Sequence, residues 1–144
     1  MTSSIDTNVL VAFLDLQIDV KEVAKRVIEA ARSKGDLLIS GCVFAELLAG
    51  PQRTVADVEA TLKSEGIGVD WEVGERVWRC AGERYQQDCA RRRERGSPDE
   101  GSRRILADFL IGAHASVHGL ELVTFDQRLF AVSFPEVRLR TQLS

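Results

Sequence analysis

Residues 3–14 read Ser-Ser-Ile-Asp-Thr-Asn-Val-Leu-Val-Ala-Phe-Leu (SSIDTNVLVAFL), and one carboxylate in that run decides what the chain builds. Thr2 to Ile5 suits a short strand, and a helix follows from about Thr7 to Leu14. Asp6 stands at the junction, between two apolar stretches. An aspartate there either caps the helix by accepting a first-turn amide hydrogen or belongs to a site at the end of the strand. The stretch alone leaves both readings open.

Outward from it, short apolar runs alternate with amphipathic segments. Asp19-Val-Lys-Glu22 has the spacing of a capping box. Behind it Val20, Val23, Ala24, Val27 and Ala31 recur at helical intervals up to Gly35. Leu37-Leu38-Ile39 is wholly apolar, as in a strand covered on both faces. Ser40 precedes a helix from Cys42 to Ala49, closed by Gly50-Pro51. Thr54 opens another helix with Val55, Val58 and Leu62 on one side, stopped by Gly66. Ile67 to Val69 forms a strand, and Asp70 is read as the cap of a long helix reaching about Arg95. Its apolar side carries Val73, Val77, Trp78, Ala81 and Tyr85. Residues 96–101 read as a loop. A largely apolar helix then covers about Arg104 to His118, followed by a strand Leu120 to Thr124, a short helix from Gln127 and an edge strand Val137 to Leu139. This alternation predicts an α/β fold with a mainly parallel central sheet of about five short strands flanked by helices.

The bulk properties narrow the function. A chain of 144 residues suits one domain, 1–144, with one core. A net charge of −3 gives no overall attraction to nucleic acid, so any such binding must come from a local patch. No apolar run approaches the ~20 residues needed to span a bilayer, and the N-terminus lacks a secretory pattern, so the expectation is a cytoplasmic protein with no membrane partner. Cys42, Cys80 and Cys89 show no Cys-x-x-Cys spacing, which argues against a disulfide framework or a zinc knuckle.

Four acids sit in apolar surroundings. Asp6 and Asp126 each follow a strand run, Glu46 lies among Val43, Phe44, Leu47 and Leu48, and Asp108 interrupts Ile105-Leu-Ala-Asp-Phe-Leu-Ile. Asp6 and Asp126 serve equally well as caps. Glu46 fits a solvent-facing helix edge, and Asp108 an ion pair with Arg103 or Arg104. Topology, however, allows all four to meet. In an open parallel sheet, ligands bind beyond the carboxyl ends of the strands. Glu46 and Asp108 each lie about one turn into a helix that starts at that edge. Four carboxylates together repel, and some would remain protonated without compensation. A hard divalent cation with oxygen ligands, Mg²⁺ or Mn²⁺, removes the conflict. The chain offers no Gly-x-Ser-x-Gly nucleophile and no glycine-rich phosphate loop. An aspartyl-nucleophile phosphatase would want Asp-x-Asp after the first strand, where this chain has Asp6-Thr7-Asn8. His114 and His118 stand at i and i+4, a zinc-compatible spacing, but no third ligand accompanies them in sequence and they fall at the far end of their helix.

In that order, SSIDTNVLVAFL, CVFAELLAG, ILADFLIGAHA and LVTFDQRLF resemble the acidic motifs of PIN-domain nucleases, and the whole looks most like the VapC toxins of VapBC toxin–antitoxin pairs. The resemblance covers nearly the whole chain, with little signature over residues 52 to 100. It implies an Mg²⁺- or Mn²⁺-dependent endoribonuclease in which a water activated at the metal attacks the RNA phosphodiester. It also implies a homodimer and inhibition by a cognate VapB-type antitoxin. Asp6, Glu46, Asp108 and Asp126 correspond to the family's catalytic and metal-site acids, with Asp126 at the position that varies most. Thr7 and Thr124 correspond to supporting hydroxyls, while Asn8 shapes the turn. A PIN-like module that binds RNA or protein without catalysis is the alternative; it would lack a site acid, and all four are present.

RNA must be held against a negative pocket. Arg91, Arg92 and Arg93 end the long helix, and Arg103 and Arg104 open the next, so both groups could meet phosphates. They are equally readable as cations at solvated helix ends. Trp71, Trp78 and Tyr85 recur every seven residues, a spacing that favours packing over base stacking.

Overall fold

A computed structural model describes residues 1–14, 17–51, 53–96 and 102–141, without the side chains of 102–105. Among the described residues, five strands form one parallel sheet in the order β3-β2-β1-β4-β5. They are β1 (Ser3–Ile5), β2 (Leu37–Ser40), β3 (Ile67–Asp70), β4 (Glu121–Val123) and β5 (Leu139–Arg140). Among the described residues seven helices connect them: α1 (Thr7–Leu14), α2 (Ile18–Arg32), α3 (Gly41–Leu47), α4 (Val55–Ser64), α5 (Glu75–Glu94), α6 (Ser102–His118) and α7 (Gln127–Ser133). The expected α/β architecture is the one observed.

β1 lies at the centre, with Ser4 opposite Leu38 of β2 on one side and Leu122 of β4 on the other. All three of its residues are buried, which explains why the run contains only small and apolar side chains. Helices cover both faces through Val9, Ile28, Val43, Leu47, Phe109, Ile111 and Phe130, all essentially inaccessible. A Cβ on Gly112 would stand 2.3 Å from the ring of Phe134, so α6 needs glycine there to lie against the chain after α7.

The strands are parallel, so their carboxyl ends share one edge. Ile5, Ser40, Asp70 and Val123 lie there, and α1, α3 and α7 start just beyond β1, β2 and β4 respectively.

Three expectations need correction. The Asp19–Glu22 capping box does not form: α2 begins at Ile18 behind Gln17, which puts Asp19 inside the first turn, and Val20 is exposed. The capping box that does form joins Thr54 and Asp57 at the start of α4. Asp70 does not cap α5, which begins four residues after Trp71 behind Gly74; it is the last residue of β3, opposite Ser40. Trp78 is 53% exposed, and Trp71, at 60%, meets the edge of Phe44. Only Tyr85 of that heptad series stacks inward, on Phe109. The loop expected at 96–101 lies, beyond Gly96, outside the described residues.

Candidate active site

Asp6 follows the last residue of β1, and its backbone amide still donates to Val123 of β4. The central strands therefore fix its position. The residue is 3% exposed. Oδ1 accepts the Thr7 amide at 2.7 Å, and Oδ2 accepts the Thr124 hydroxyl at 2.7 Å. Both readings of the opening stretch meet here: Asp6 bonds the first amide of α1 and also faces a polar cluster.

Glu46 reaches the same place from α3, half-buried, its Oε1 accepting the Thr7 hydroxyl at 2.6 Å. Thr7 thus links two acids by donating its amide to one and its hydroxyl to the other. Thr124 acts in the same way on the other flank: its hydroxyl donates to Asp6, and its oxygen accepts the Asp126 amide at 2.9 Å. Asp126 is exposed and caps α7 by accepting the Leu129 amide at 3.3 Å. Asn8 accepts the Phe125 amide at 3.3 Å and so ties the start of α1 to the turn after β4.

Electrostatics couple these groups. Burial pushes the Asp6 carboxyl up to about 6; the hydrogen bonds from Thr124 and Thr7 oppose the rise, and the charges of Glu46 and Asp126 add to it. Asp108, half-buried on α6, enters through Cys42. Burial raises that thiol to about 11, helped by the negative charges of Glu46, Asp108 and Asp6. The Cys42 sulfur also lies 4.0 Å from the carbonyl of Ala107, the residue before Asp108. The fold thus joins Asp6 to Glu46 through Thr7 and Asp6 to Asp126 through Thr124, while Asp108 is linked to them through its charge on Cys42; among the described residues no three of these acids bring oxygens within 4.8 Å of one another. Among the described residues no arginine or lysine forms an ion pair with Asp6, Glu46 or Asp126.

Such a cluster fits a hard divalent cation. A carboxylate raised by burial, with further acids as its charged neighbours, lacks a positive charge, and the available donors are oxygens. Cys42 was not anticipated as a neighbour of the acids; its position one turn before Glu46 was the available signal. Ser40 was not singled out either. It ends β2 opposite Asp70 of β3, and among the described residues its buried hydroxyl has no partner.

The arginines divide. Arg91 and Arg92 lie within 3.6 and 2.9 Å of Asp88 on their own helix, and Arg91 also donates to the Ser133 hydroxyl. Arg93 is exposed. The expectation for Arg103 and Arg104 falls on side chains outside the described residues. No helix among the described residues is long and apolar enough to cross a membrane.

Comparison with known proteins agrees with this fold. The PIN domain matches residues 4–135, and the chain belongs to the PIN-domain family, whose members are generally nucleases that use divalent metals. Among solved structures it is similar to VapBC-1 from nontypeable Haemophilus influenzae, at 17% identity over 100% of both chains and a TM-score of 0.66. It is also similar to VapBC2 from Rickettsia felis bound to a DNA fragment from their promoter, at 17% identity over 98% of both chains and a TM-score of 0.63. FitAcB from Neisseria gonorrhoeae aligns at 20% identity over 98% of both chains, with a TM-score of 0.58. At such identities the likeness establishes the fold and no more. No curated protein sequence matches the chain.

Proposed function

We propose that this protein is a divalent-cation-dependent endoribonuclease, the VapC-type toxin of a toxin–antitoxin pair, acting in the cytoplasm. The observation that carries the reading is buried Asp6 at the end of β1, linked to Glu46 through Thr7 and to Asp126 through Thr124, raised to about 6 and with no arginine or lysine paired to it among the described residues. Membership in the PIN family supports the nuclease class. The similar structures named as VapBC and FitAcB supply the toxin–antitoxin context and a VapB-type antitoxin as partner.

Asp6, Glu46, Asp108 and Asp126 would hold Mg²⁺ or Mn²⁺. When bound, the cation would supply Lewis-acid stabilisation of phosphodiester charge and lower the pKa of water at the site. The chain's own groups set up that chemistry. Asp6 and Glu46, both bonded by Thr7, are fixed relative to each other before any ligand arrives. Thr124 holds Asp6 and the Asp126 amide together, so strand β4 and the start of α7 are positioned with the site. The surplus negative charge also repels an RNA phosphate from the cation-free protein, which makes productive RNA binding dependent on the metal. Arg93, with Arg91, Arg92, Arg103 and Arg104, would neutralise flanking phosphates, and the active unit would be a homodimer.

The test is cleavage of labelled RNAs by purified protein in Mg²⁺ or Mn²⁺, with EDTA and Asp6→Asn as controls. Cleavage that disappears in both controls is expected. Cleavage that persists in either contradicts the assignment, and metal-dependent RNA binding without cleavage replaces it with a binding module. Co-expression with the adjacent small open reading frame should relieve growth arrest.

A further inference from the structure

The histidine pair that lacked a third ligand in sequence gains one in the fold. Asp70, at the carboxyl end of β3, places Oδ2 2.9 Å from Nε2 of His114, although the two residues are 44 apart in the chain. The rings of His114 and His118 are 5.0 Å apart at 64°, one helical turn from each other on α6. One ligand atom from each of the three residues lies within 4.8 Å of the other two.

We propose that Asp70, His114 and His118 form a second cation site, selective for a transition metal of the zinc class, that ties the end of β3 to α6. No residue of this cluster belongs to the four-carboxylate site, and the inference does not rest on the nuclease reading. Two imidazoles and one carboxylate are the donors that Zn²⁺ accepts in three-ligand sites with an open fourth position. Mg²⁺, by contrast, prefers oxygen alone. Burial is graded across the cluster: His114 is buried, Asp70 half-buried and His118 exposed, so a cation can enter from solvent and rest against a fixed ligand. Tetrahedral Zn²⁺ places its donors about 3.4 Å apart. The His114–Asp70 pair already stands closer than that, and the exposed His118 ring is the one free to close the remaining gap. Asp70 is oriented for the task, since its other oxygen accepts the Glu72 amide at 3.2 Å. Among the described residues His114 Nδ1 is buried without a partner, so the hydrogen bond that ring makes there is on the Asp70 side.

The experiment titrates metal-stripped full-length protein with Zn²⁺ by calorimetry, with millimolar Mg²⁺ present, and follows the Zn²⁺-dependent change in Tm. Wild type and Asp6→Asn are both expected to bind one Zn²⁺ and gain Tm. In His118→Ala and in Asp70→Asn the affinity should fall at least about tenfold and the gain in Tm should vanish. His118 is exposed, so its variant keeps the fold, and circular dichroism checks this. Undiminished Zn²⁺ binding in both variants overturns the site. So does a wild type that binds no Zn²⁺, which would leave His114 and Asp70 as a plain ion pair. Loss of binding in Asp6→Asn with retention in His118→Ala would assign the Zn²⁺ to the carboxylate cluster instead.

Discussion

Two buried carboxylates border the central strands, and the chain treats them differently. Glu121 opens β4 and Asp6 follows β1; each is 3% exposed. Glu121 has its own cation: Arg140 of β5 donates from Nε at 2.5 Å and from a terminal nitrogen at 3.4 Å, with Ser3 adding a hydroxyl at 3.4 Å. Asp6 receives an amide and a hydroxyl, and its charged neighbours are further acids. A buried charge is tolerated when it is paired and costly when it is not. The pairing at Glu121 therefore serves structure. At Asp6 the counter-charge is left to come from outside, as a binding site requires.

Breaking the built-in pair should have the largest effect. Arg140→Met leaves Glu121 buried without its cation and is expected to cost about 3–5 kcal/mol in urea denaturation. A loss under about 1 kcal/mol would mean that Glu121 is solvated and the contrast is false.

The same experiment on Asp6 should change sign. Its folded-state pKa, about 6, lies above the ordinary 3.8, so the favourable contribution of the neutral acid is complete below pH 4 and is lost as pH rises through 6. Metal-free protein should therefore gain stability on acidification from pH 7 to 5. Asp6→Asn should be more stable than wild type at pH 7 by about 1–3 kcal/mol and lack that pH dependence. It should also cleave no RNA.

Thr124→Val sharpens the comparison at a smaller scale. It removes the hydroxyl bond to Asp6 and leaves the Asp126 amide unpaired, a cost of about 1–2 kcal/mol, with reduced cleavage. Asp126 separates a cap from a site ligand. Asp126→Asn retains the cap of α7, so stability should change by less than about 0.5 kcal/mol while cleavage falls; Asp126→Ala should lose both the cleavage and about 1 kcal/mol.

Local signals carried much of this into the sequence. The apolar run Leu37-Leu38-Ile39 announced a strand covered on both faces, and Asp6 after Ser-Ser-Ile announced a polar interruption at its end. Parallel topology then pointed Asp6, Glu46 and Asp126 toward one edge, because each stands just after a strand or about one turn into the helix that follows it; Asp108 lies on α6, which follows α5 rather than a strand. What was not legible depended on contacts distant in sequence or on competition between near-equal local choices. Asp70 has the composition of a helix cap, yet its preferred partner is His114, which no local pattern reveals. Asp19 loses to Gln17 as the start of α2 because one residue of register decides which amides are left unpaired. Trp78 has the right spacing for the apolar face of α5, but Val77 and Ala81 fill that role and the indole stays outside. The pairing of Glu121 with Arg140 was equally hidden, since it depends on β5 lying beside β4.

The most direct test of the central claim is the stability of the protein as Mn²⁺ is titrated at pH 7, measured in parallel on wild type, Asp6→Asn and His118→Ala. If the four acids share one cation, Mn²⁺ stabilises wild type and His118→Ala and leaves Asp6→Asn unchanged. Equal stabilisation of all three proteins, or of none, would contradict it.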